Sequence, residues 1–187
     1  MTGEHRPLPV LLQPGLRIVF IGYNPGLYSA ERGHYYAWSG NVFWRQLIES
    51  GIVGRPVGPE DDRKLPAEAG IGFVDLCARP TARADELTRE EVQEGARLLL
   101  ERLEDSQPEV AVFSGKGIFQ YFGRHALGLR PSDLASRPYG SQSERIGAHT
   151  VLWVIPSSSG LASRWHRQRL QLLSQLASEL PPAGPRS

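Results

Sequence analysis

Cysteine is nearly absent from this chain, with Cys77 the only one in 187 residues. A single cysteine excludes an intramolecular disulfide, gives no support to a cysteine-based metal site, and fits a reducing compartment. His34 and His149 have no partners at the spacing that metal ligands require. The sequence therefore predicts no metal site.

Long hydrophobic runs and a strong net charge are also absent. The apolar run at residues 8–12 is short and contains Pro9, and no cleavage-site pattern follows it. Neither a signal peptide nor a membrane span is predicted, so we expect a cytoplasmic protein. The formal net charge is +1, so no overall field indicates a nucleic-acid partner, and any such site has to be local.

The two ends of the chain differ in composition from the middle. Residues 1–14 contain three prolines and are expected to form a flexible N-terminal arm, while residues 181–187 are expected to be a disordered tail. A chain of this length fits one core better than two, so residues 15–180 are predicted to be a single domain. Strand-like and helix-like segments alternate there, which predicts an α/β fold with parallel strands.

The predicted elements follow from hydrophobic pattern and capping residues. Strands are predicted at residues 17–22, 72–76, 110–114 and 150–155, and helices at 42–50, 88–107, 114–123 and 164–177. Thr88 and Glu91 form a capping-box pattern, and Asn41 can cap the first helix. Residues 54–69 and 123–148 are rich in turn-forming residues and are predicted to be surface loops.

The segment at residues 17–26 organises the predicted sheet. Its β-branched and aromatic run is too short for a helix, and predicts a buried parallel strand. Gly22 then lets the backbone leave the sheet sharply, and Pro25 fixes the turn, so Asn24 is held at the carboxyl end of the strand. Ordinary turn chemistry would use the same residues, so this loop alone does not distinguish a turn from a site.

The carboxyl ends of the predicted parallel strands meet at one edge, where open α/β sheets bind ligands. Asp75 ends the second strand, Lys116 follows the third, and the serines at 157–159 follow the fourth. A buried Asp75 could serve as a general base, whereas Asp85 is more simply a capping residue near a helix start. Lys116 is either a phosphate contact or a solvated lysine.

Aromatic residues are concentrated at positions 33–44. Phe43 and Trp44 fit the core, whereas Tyr35, Tyr36 and Trp38 lie among small residues with no helical face to bury them. An aromatic ring on a loop at the ligand edge can stack on a flat ligand. The alternative is that these rings only cover the end of the sheet.

Positive charge is concentrated at residues 156–169. Small polar residues there precede Leu161, and Arg164, His166, Arg167 and Arg169 follow it. Such a mixture suits phosphate contacts beside an apolar wedge that can enter a base stack. The alternative is a helix whose first turns happen to be basic.

Taken together, the motifs resemble those of the mismatch-specific uracil-DNA glycosylases and thymine-DNA glycosylases of the uracil-DNA glycosylase superfamily, from about residue 16 to about residue 180. The motifs are Gly22-Tyr23-Asn24-Pro25-Gly26, Asn41-Val42-Phe43-Trp44, Gly70-Ile71-Gly72-Phe73 with Arg79-Pro80-Thr81, Gly115-Lys116, and Pro156-Ser157-Ser158-Ser159 with Gly160-Leu161. The resemblance implies a three-layer α-β-α sandwich with a short, mainly parallel central sheet.

The resemblance also implies an activity. The enzyme would flip uracil out of mismatched duplex DNA, chiefly opposite guanine, and the resemblance leaves open thymine and modified pyrimidines as further substrates. It would hydrolyse the N-glycosidic bond without a cofactor and leave an abasic site that starts base excision repair. Its partner would be double-stranded DNA with a G·U mismatch, and a monomeric, nucleoid-associated bacterial protein that hands its product to later repair enzymes is expected.

Roles for individual residues follow from the same resemblance. Asn24 would orient the attacking water. The resemblance implies no role for Asp75; that Asp75 assists Asn24 in catalysis is a hypothesis from its place at a strand end beside the Asn24 loop. Base-binding roles would fall to Gly22, Tyr23, Tyr36 and Phe73, with Tyr36 stacking on the extruded base. Gly160 and Leu161 would enter the duplex as a wedge, and Ser157, Ser158, Ser159, Lys116 and Arg164 would hold phosphates.

Three departures from the family pattern keep alternatives open. Relatives carry asparagine or lysine at the position of Asp75, so Asp85 remains a second candidate for the assisting carboxylate. Arg164 matches the arginine after the wedge only with a one-residue insertion, and Ser163 is the alternative. Tyr23 stands where relatives have a smaller aliphatic residue.

Two other functions were considered. A non-catalytic module that binds mismatched DNA is the alternative function, whereas a serine hydrolase has no nucleophile-elbow motif to support it.

Overall fold

A five-stranded sheet forms the centre of the protein in the computed structural model, which describes residues 6–180. The strands are β1 Ile18–Gly22, β2 Ile71–Asp75, β3 Val110–Phe113, β4 Gly140–Ile146 and β5 Thr150–Val154. Their order across the sheet is β2-β1-β3-β5-β4. All neighbouring pairs are parallel except β4 and β5, which are antiparallel.

Helices cover both faces of this sheet, which gives the predicted three-layer α/β fold. The α-helices are α1 Leu27–Arg32, α2 Phe43–Glu49, α3 Leu65–Ala69, α4 Arg89–Ser106, α5 Lys116–His125, α6 Pro131–Ala135 and α7 His166–Glu179. Short 3-10 helices lie at Pro59–Asp61, Ala84–Glu86 and Gly160–Trp165. The boundaries differ from the predicted ones by a few residues, as is usual for fraying helix ends.

The strand β1 is central because its residues alternate between two cores. Ile18 and Phe20 pack toward α2 and α7, whereas Val19 and Ile21 pack toward α4 and α5. All four side chains are fully buried, as expected for a strand that is paired on both sides and covered on both faces. The run that predicts this strand therefore also predicts its place in the middle of the sheet.

The capping box predicted at the start of α4 is confirmed. The Glu91 N–H donates to the Thr88 hydroxyl at 3.2 Å, and the Thr88 N–H donates to the Glu91 carboxylate at 2.8 Å. Gly95 lets α4 approach the sheet closely, because a β-carbon there would lie 2.2 Å from the carbonyl oxygen of Leu76. The start of α4 is thereby fixed next to the loop that follows β2.

Two kinds of difference from the sequence prediction occur: regular elements where surface loops were predicted, and packing of the N-terminal segment. The helix α3 lies within residues 54–69 and α6 within residues 123–148, both predicted to be loops. β4 lies within residues 123–148, which were predicted to be a surface loop; its sequence, GSQSERI, has almost no apolar alternation. Pairing with β5 and burial of Gln142 and Ile146 stabilise it instead.

The N-terminal segment is the second difference. Leu11 pairs with Phe73 of β2 through two backbone hydrogen bonds, and Leu8 is buried, so this part of the expected arm is packed against the sheet edge. The remainder of the arm, residues 1–5, and the expected tail at 181–187 lie outside the described residues. None of the helices within residues 6–180 is long and apolar enough to cross a membrane.

Candidate active site

The loops that follow β1 and β2 run side by side at the carboxyl edge of the sheet. The register pairs Gly22 with Asp75, and backbone hydrogen bonds continue beyond the two strands. The Cys77 N–H donates to the Tyr23 carbonyl at 2.9 Å, and the Thr81 N–H donates to the Pro25 carbonyl at 3.1 Å. The loop that carries Asn24 is therefore held along its length by the loop that follows β2.

The carboxamide of Asn24 has a defined orientation. Its nitrogen donates to the Thr81 hydroxyl at 2.7 Å and to the Arg79 carbonyl at 2.9 Å. A carbonyl can only accept, so the nitrogen must face it and Oδ1 must point the other way. No donor within residues 6–180 reaches this Oδ1, which leaves it as an acceptor in the cleft that Asn24 lines.

Asp75 lies at the end of β2, and its side chain lines the same cleft. Burial raises the pKa of this carboxyl to about 7. Within the described part of the chain, its carboxylate has no hydrogen-bond or ion-pair partner to offset the loss of solvation. A carboxyl that is half ionised near neutral pH has the pKa expected of a general base.

Tyr36 forms one wall of the cleft. Its ring stacks on Phe43 with centroids 3.9 Å apart and planes inclined by 12°, so a ligand can stack only on the other face. Its hydroxyl is 3.4 Å from the Ser114 hydroxyl, and its φ is +52°. A positive φ is uncommon for a tyrosine, and at a binding loop it indicates a conformation imposed by the surrounding contacts.

Phe73 lies elsewhere than the sequence suggests, whereas Tyr35 lines the cleft. Phe73, expected to bind the base, is fully buried behind the cleft, and its ring is 5.4 Å from that of Tyr35. β2 pairs with β1 at this position, so the inward side chain enters the core. Tyr35 is also buried, and its backbone N–H donates to Asp62 at 2.9 Å.

Further contacts fix the loop at residues 33–44 in front of the sheet. His34 Nδ1 is 3.0 Å from the buried carboxylate of Asp62, and the Trp44 indole N–H donates to the Tyr35 carbonyl at 3.1 Å. The Tyr35 hydroxyl donates to the Pro9 carbonyl at 3.0 Å. The wall that carries Tyr36 is thus anchored before any ligand binds.

These residues surround one cleft, which we call the base cleft, of about 580 Å³. Among the predicted site residues, it brings together Gly22, Tyr23, Asn24, Tyr36, Asp75, Ser157, Ser158 and Ser159. The volume lies within the range of small-molecule sites, and the lining combines aromatic rings with two asparagines, one aspartate and five serines. Its chemistry can hold a flat ring and a water molecule side by side.

The serine segment and the wedge candidate lie at the mouth of the base cleft. The Ser159 N–H donates to the Ser157 hydroxyl at 3.2 Å, and the Ser159 carbonyl is 3.2 Å from His166 Nε2. Leu161, in the following 3-10 helix, is fully exposed. Trp38 lies over Gly160, where a β-carbon would be 3.1 Å from its ring.

The remaining predicted residues lie outside the base cleft. The Lys116 ammonium is 4.7 Å from the centre of the Tyr139 ring, and the Arg164 guanidinium is 5.2 Å from that of Trp165. Arg164 and Ser163 are both exposed after the wedge. Asp85 is exposed and forms an ion pair with Arg83. Of the two candidate carboxylates, only Asp75 lines the base cleft.

Arg169 does not belong to the basic surface that the sequence predicts at residues 156–169. It was grouped with exposed arginines, but it is fully buried and lies 5.5 Å from the Phe43 ring centre. One nitrogen donates to the Gln46 carboxamide at 2.5 Å, while Nε and Nη2 have no partner within residues 6–180. A helix starting at residue 164 does point this position inward, so helical periodicity could have identified it.

Thr81 and Ser114 are the site residues whose role sequence reasoning missed. Both occur in recognised segments, but their hydroxyls act through Asn24 and Tyr36, and no local pattern indicates such contacts. The described residues contain no cluster of histidine, cysteine or carboxylate side chains that could hold a metal ion. The base cleft itself offers an amide, a carboxylate, serine hydroxyls and aromatic rings.

Comparison with known proteins identifies a superfamily and a structure of similar fold. The sequence model of the Uracil DNA glycosylase superfamily matches residues 9–180. A solution NMR structure of a candidate uracil DNA glycosylase from Methanosarcina acetivorans is similar in fold, with a TM-score of 0.61 and 21% sequence identity. The similarity covers 94% of this chain and 97% of that one.

Proposed function

The chain belongs to the uracil DNA glycosylase superfamily, and from that premise we propose that it removes uracil from G·U mismatches in duplex DNA. The observation that carries the proposal is the shared lining of the base cleft by Asn24, Asp75 and Tyr36. Together they offer an acceptor for water, a carboxylate with a pKa of about 7 and a stacking surface. Each of these three functions can promote hydrolysis of the bond between a flat base and its sugar.

The reaction has to stabilise two charges. As the N-glycosidic bond breaks, the sugar gains oxocarbenium character and the departing uracil becomes an anion. Asn24 Oδ1 holds the attacking water, because the nitrogen of the same carboxamide is bound by Arg79 and Thr81. The water oxygen bonds to C1′ of the sugar, and the uracil anion takes a proton from solvent.

Asp75 supplies what an asparagine cannot. A carboxamide positions water but is too weak a base to take its proton, whereas a carboxylate with a pKa near the working pH can. The ionised Asp75 receives the proton of the water as it attacks, and its negative charge favours the cationic sugar. With Asp75 protonated, both contributions are lost.

Tyr36 receives the extruded uracil on the face that Phe43 leaves free. Stacking of a base on an aromatic ring is worth about 1 to 3 kcal/mol, which offsets part of the few kcal/mol that flipping costs. That cost is least for a mismatched base, so selectivity for uracil opposite guanine begins before the base enters the cleft.

The exposed edge of the site suits a duplex. Leu161 is fully exposed, as a side chain that fills the gap in a base stack must be. The serines at 157–159 lie between it and the base cleft, where their hydroxyls and amides can hold the phosphates of the flipped nucleotide. Arg164 follows the wedge and supplies positive charge on the same side.

A substrate panel tests the proposal. Wild-type protein is incubated in excess over labelled duplexes carrying G·U, A·U or G·T, and over single-stranded uracil DNA, and abasic sites are detected by alkaline cleavage. We expect the fastest cleavage with G·U. Tight binding of the G·U duplex without abasic sites would instead indicate a mismatch-binding module.

A further inference from the structure

A second cleft, larger than the base cleft, adjoins it. This flanking cleft has a volume of about 790 Å³ and lies between the start of α4 and one side of α5, from Gly117 near the beginning of that helix to His125 at its end. Four residues line both clefts: Tyr23, Ser114, Ile118 and Ser157. The two clefts are therefore continuous along the carboxyl edge of the sheet, with the Tyr23 ring between them. The mechanism described above makes no use of the flanking cleft.

The flanking cleft carries unpaired positive charge. Arg89 and Arg124 line it, and neither forms an ion pair within residues 6–180. Asp85 is the only carboxylate in its lining, and it is paired with Arg83. The cleft therefore has an excess of positive charge, although the whole chain is nearly neutral.

Both arginines also act on one histidine of the flanking cleft. Burial, followed by the charges of Arg124 and Arg89, lowers the pKa of His125, which lines the same cleft. An anion bound beside this imidazole would therefore be attracted by both guanidinium groups.

The rest of the flanking cleft is mostly apolar. Leu87, Val92 and Ile118 contribute its hydrophobic lining, and Tyr121 closes one side. An apolar surface beside guanidinium groups matches a chain of sugars linked by phosphates better than it matches a free anion, which has no apolar part. Arginine is also the side chain best suited to bidentate phosphate contacts.

We propose that the flanking cleft binds the sugar-phosphate backbone of the uracil-bearing strand next to the flipped nucleotide, with Arg89 and Arg124 contacting its phosphates. The inference rests on the proposed function, because a strand whose base occupies the base cleft passes Tyr23 to enter the flanking cleft. The site thereby extends the DNA contact beyond the flipped nucleotide and its serine segment.

Salt dependence of binding tests this inference. The probe is a G·U duplex with 2′-fluoro-2′-deoxyuridine, which resists cleavage, and the variants are Arg89→Ala, Arg124→Ala and their combination. Each lost phosphate contact should lower the slope of log affinity against log salt by about 1. Affinity at low salt should fall about tenfold or more per contact.

Arg97→Ala is the matched control. Arg97 is on the same helix as Arg89 and is likewise exposed, and its loss changes the net charge equally. It differs in being paired with Glu94 and Glu101 and in lying outside the flanking cleft. The slope of log affinity against log salt for Arg97→Ala should equal that of wild type. If Arg89→Ala and Arg124→Ala change the slope no more than Arg97→Ala does, the inference is wrong.

A second measurement locates the contact. Replacing single phosphates by neutral methylphosphonates should weaken wild-type binding at one or two positions of the uracil strand, and the double variant should no longer respond at those positions. An equal response in both proteins would overturn the inference. Wild-type cleavage of the ordinary G·U duplex is measured in parallel, so failure of the proposed function is seen separately.

Discussion

The carboxylate of Asp75 lies directly against the backbone of Gly22, so closely that a β-carbon at position 22 would be 2.1 Å from its Oδ1. The two residues are paired in register at the ends of β2 and β1. The glycine thus serves a second purpose besides the turn: because it has no side chain, it leaves the space in which the Asp75 carboxylate lies.

Gly22→Ala should therefore displace the Asp75 carboxylate while leaving most of the sheet intact. The shift has to exceed the few tenths of an ångström that a neighbour can readily yield, and we expect single-turnover cleavage of a G·U duplex to fall about tenfold or more. Thermal unfolding serves as the folding control. A folded variant with the wild-type rate would show that the position of Asp75 does not matter.

The pKa of Asp75 predicts the pH dependence of cleavage. The ionised form acts as the base, so the rate should rise about tenfold per pH unit below about 7 and level off above it. Asp75→Asn should remove this rise together with most of the rate. Single-turnover rates from pH 5 to pH 9 provide the measurement, and a flat wild-type profile would contradict the role of Asp75.

The same carboxyl should make the folded protein less stable at high pH. Its pKa is raised on folding, so its contribution to the free energy of unfolding decreases from about pH 4 to about pH 7 and is lowest above that. Asp75→Asn should stabilise the protein at pH 8 by about 2 to 4 kcal/mol, and by less at pH 5. Urea titrations of wild type and Asp75→Asn at both pH values measure the difference in the free energy of unfolding. If the stabilisation by Asp75→Asn is no larger at pH 8 than at pH 5, the pKa of Asp75 is not raised on folding.

Thr81→Val tests the orientation of Asn24. The substitution keeps the shape of a buried side chain and removes the hydroxyl that accepts from the Asn24 carboxamide at 2.7 Å. A typical hydrogen bond contributes about 0.5 to 1.5 kcal/mol, so cleavage should slow about 2- to 12-fold, with duplex binding unchanged. Thr81→Ser, which retains the hydroxyl, is the control and should keep the wild-type rate.

What the sequence could predict depended on local patterns. The run before Gly22 predicts the central strand, and the Thr88 and Glu91 pair predicts the start of α4, because each signal lies within a few adjacent residues. Phe73 was misplaced because its environment depends on β1 and the aromatic loop, which lie far away in the chain. The strand β4 was missed because its sequence has almost no apolar alternation, although its partner β5 follows it almost directly.

In the candidate site, too, local patterns were predictable and contacts between distant residues were not. Asn24 and Asp75 stand at strand ends, so parallel-sheet geometry places both at one edge. No role could be assigned to the hydroxyls of Thr81 and Ser114 from the sequence. Thr81 contacts Asn24, which is 57 residues away, and Ser114 contacts Tyr36, which is 78 residues away. The interior position of Arg169 was available from helical periodicity, but the basic composition of its segment favoured a surface interpretation.

Leu161→Ala should separate the effects on duplex and single strand. The side chain is fully exposed, so its loss should change the free energy of unfolding by less than about 0.5 kcal/mol. Cleavage of a G·U duplex should decrease strongly, because no side chain then fills the gap left by the base. Cleavage of single-stranded uracil DNA should be nearly unchanged, and equal losses on both substrates would reject the wedge.

The most direct test of the account is single-turnover cleavage of a G·U duplex by wild type, Asn24→Ala and Asp75→Asn, with duplex binding measured for each. We predict abasic sites with wild type, and loss of most cleavage in both variants while binding persists. Full cleavage by both variants would contradict the assignment of water positioning to Asn24 and of proton removal to Asp75.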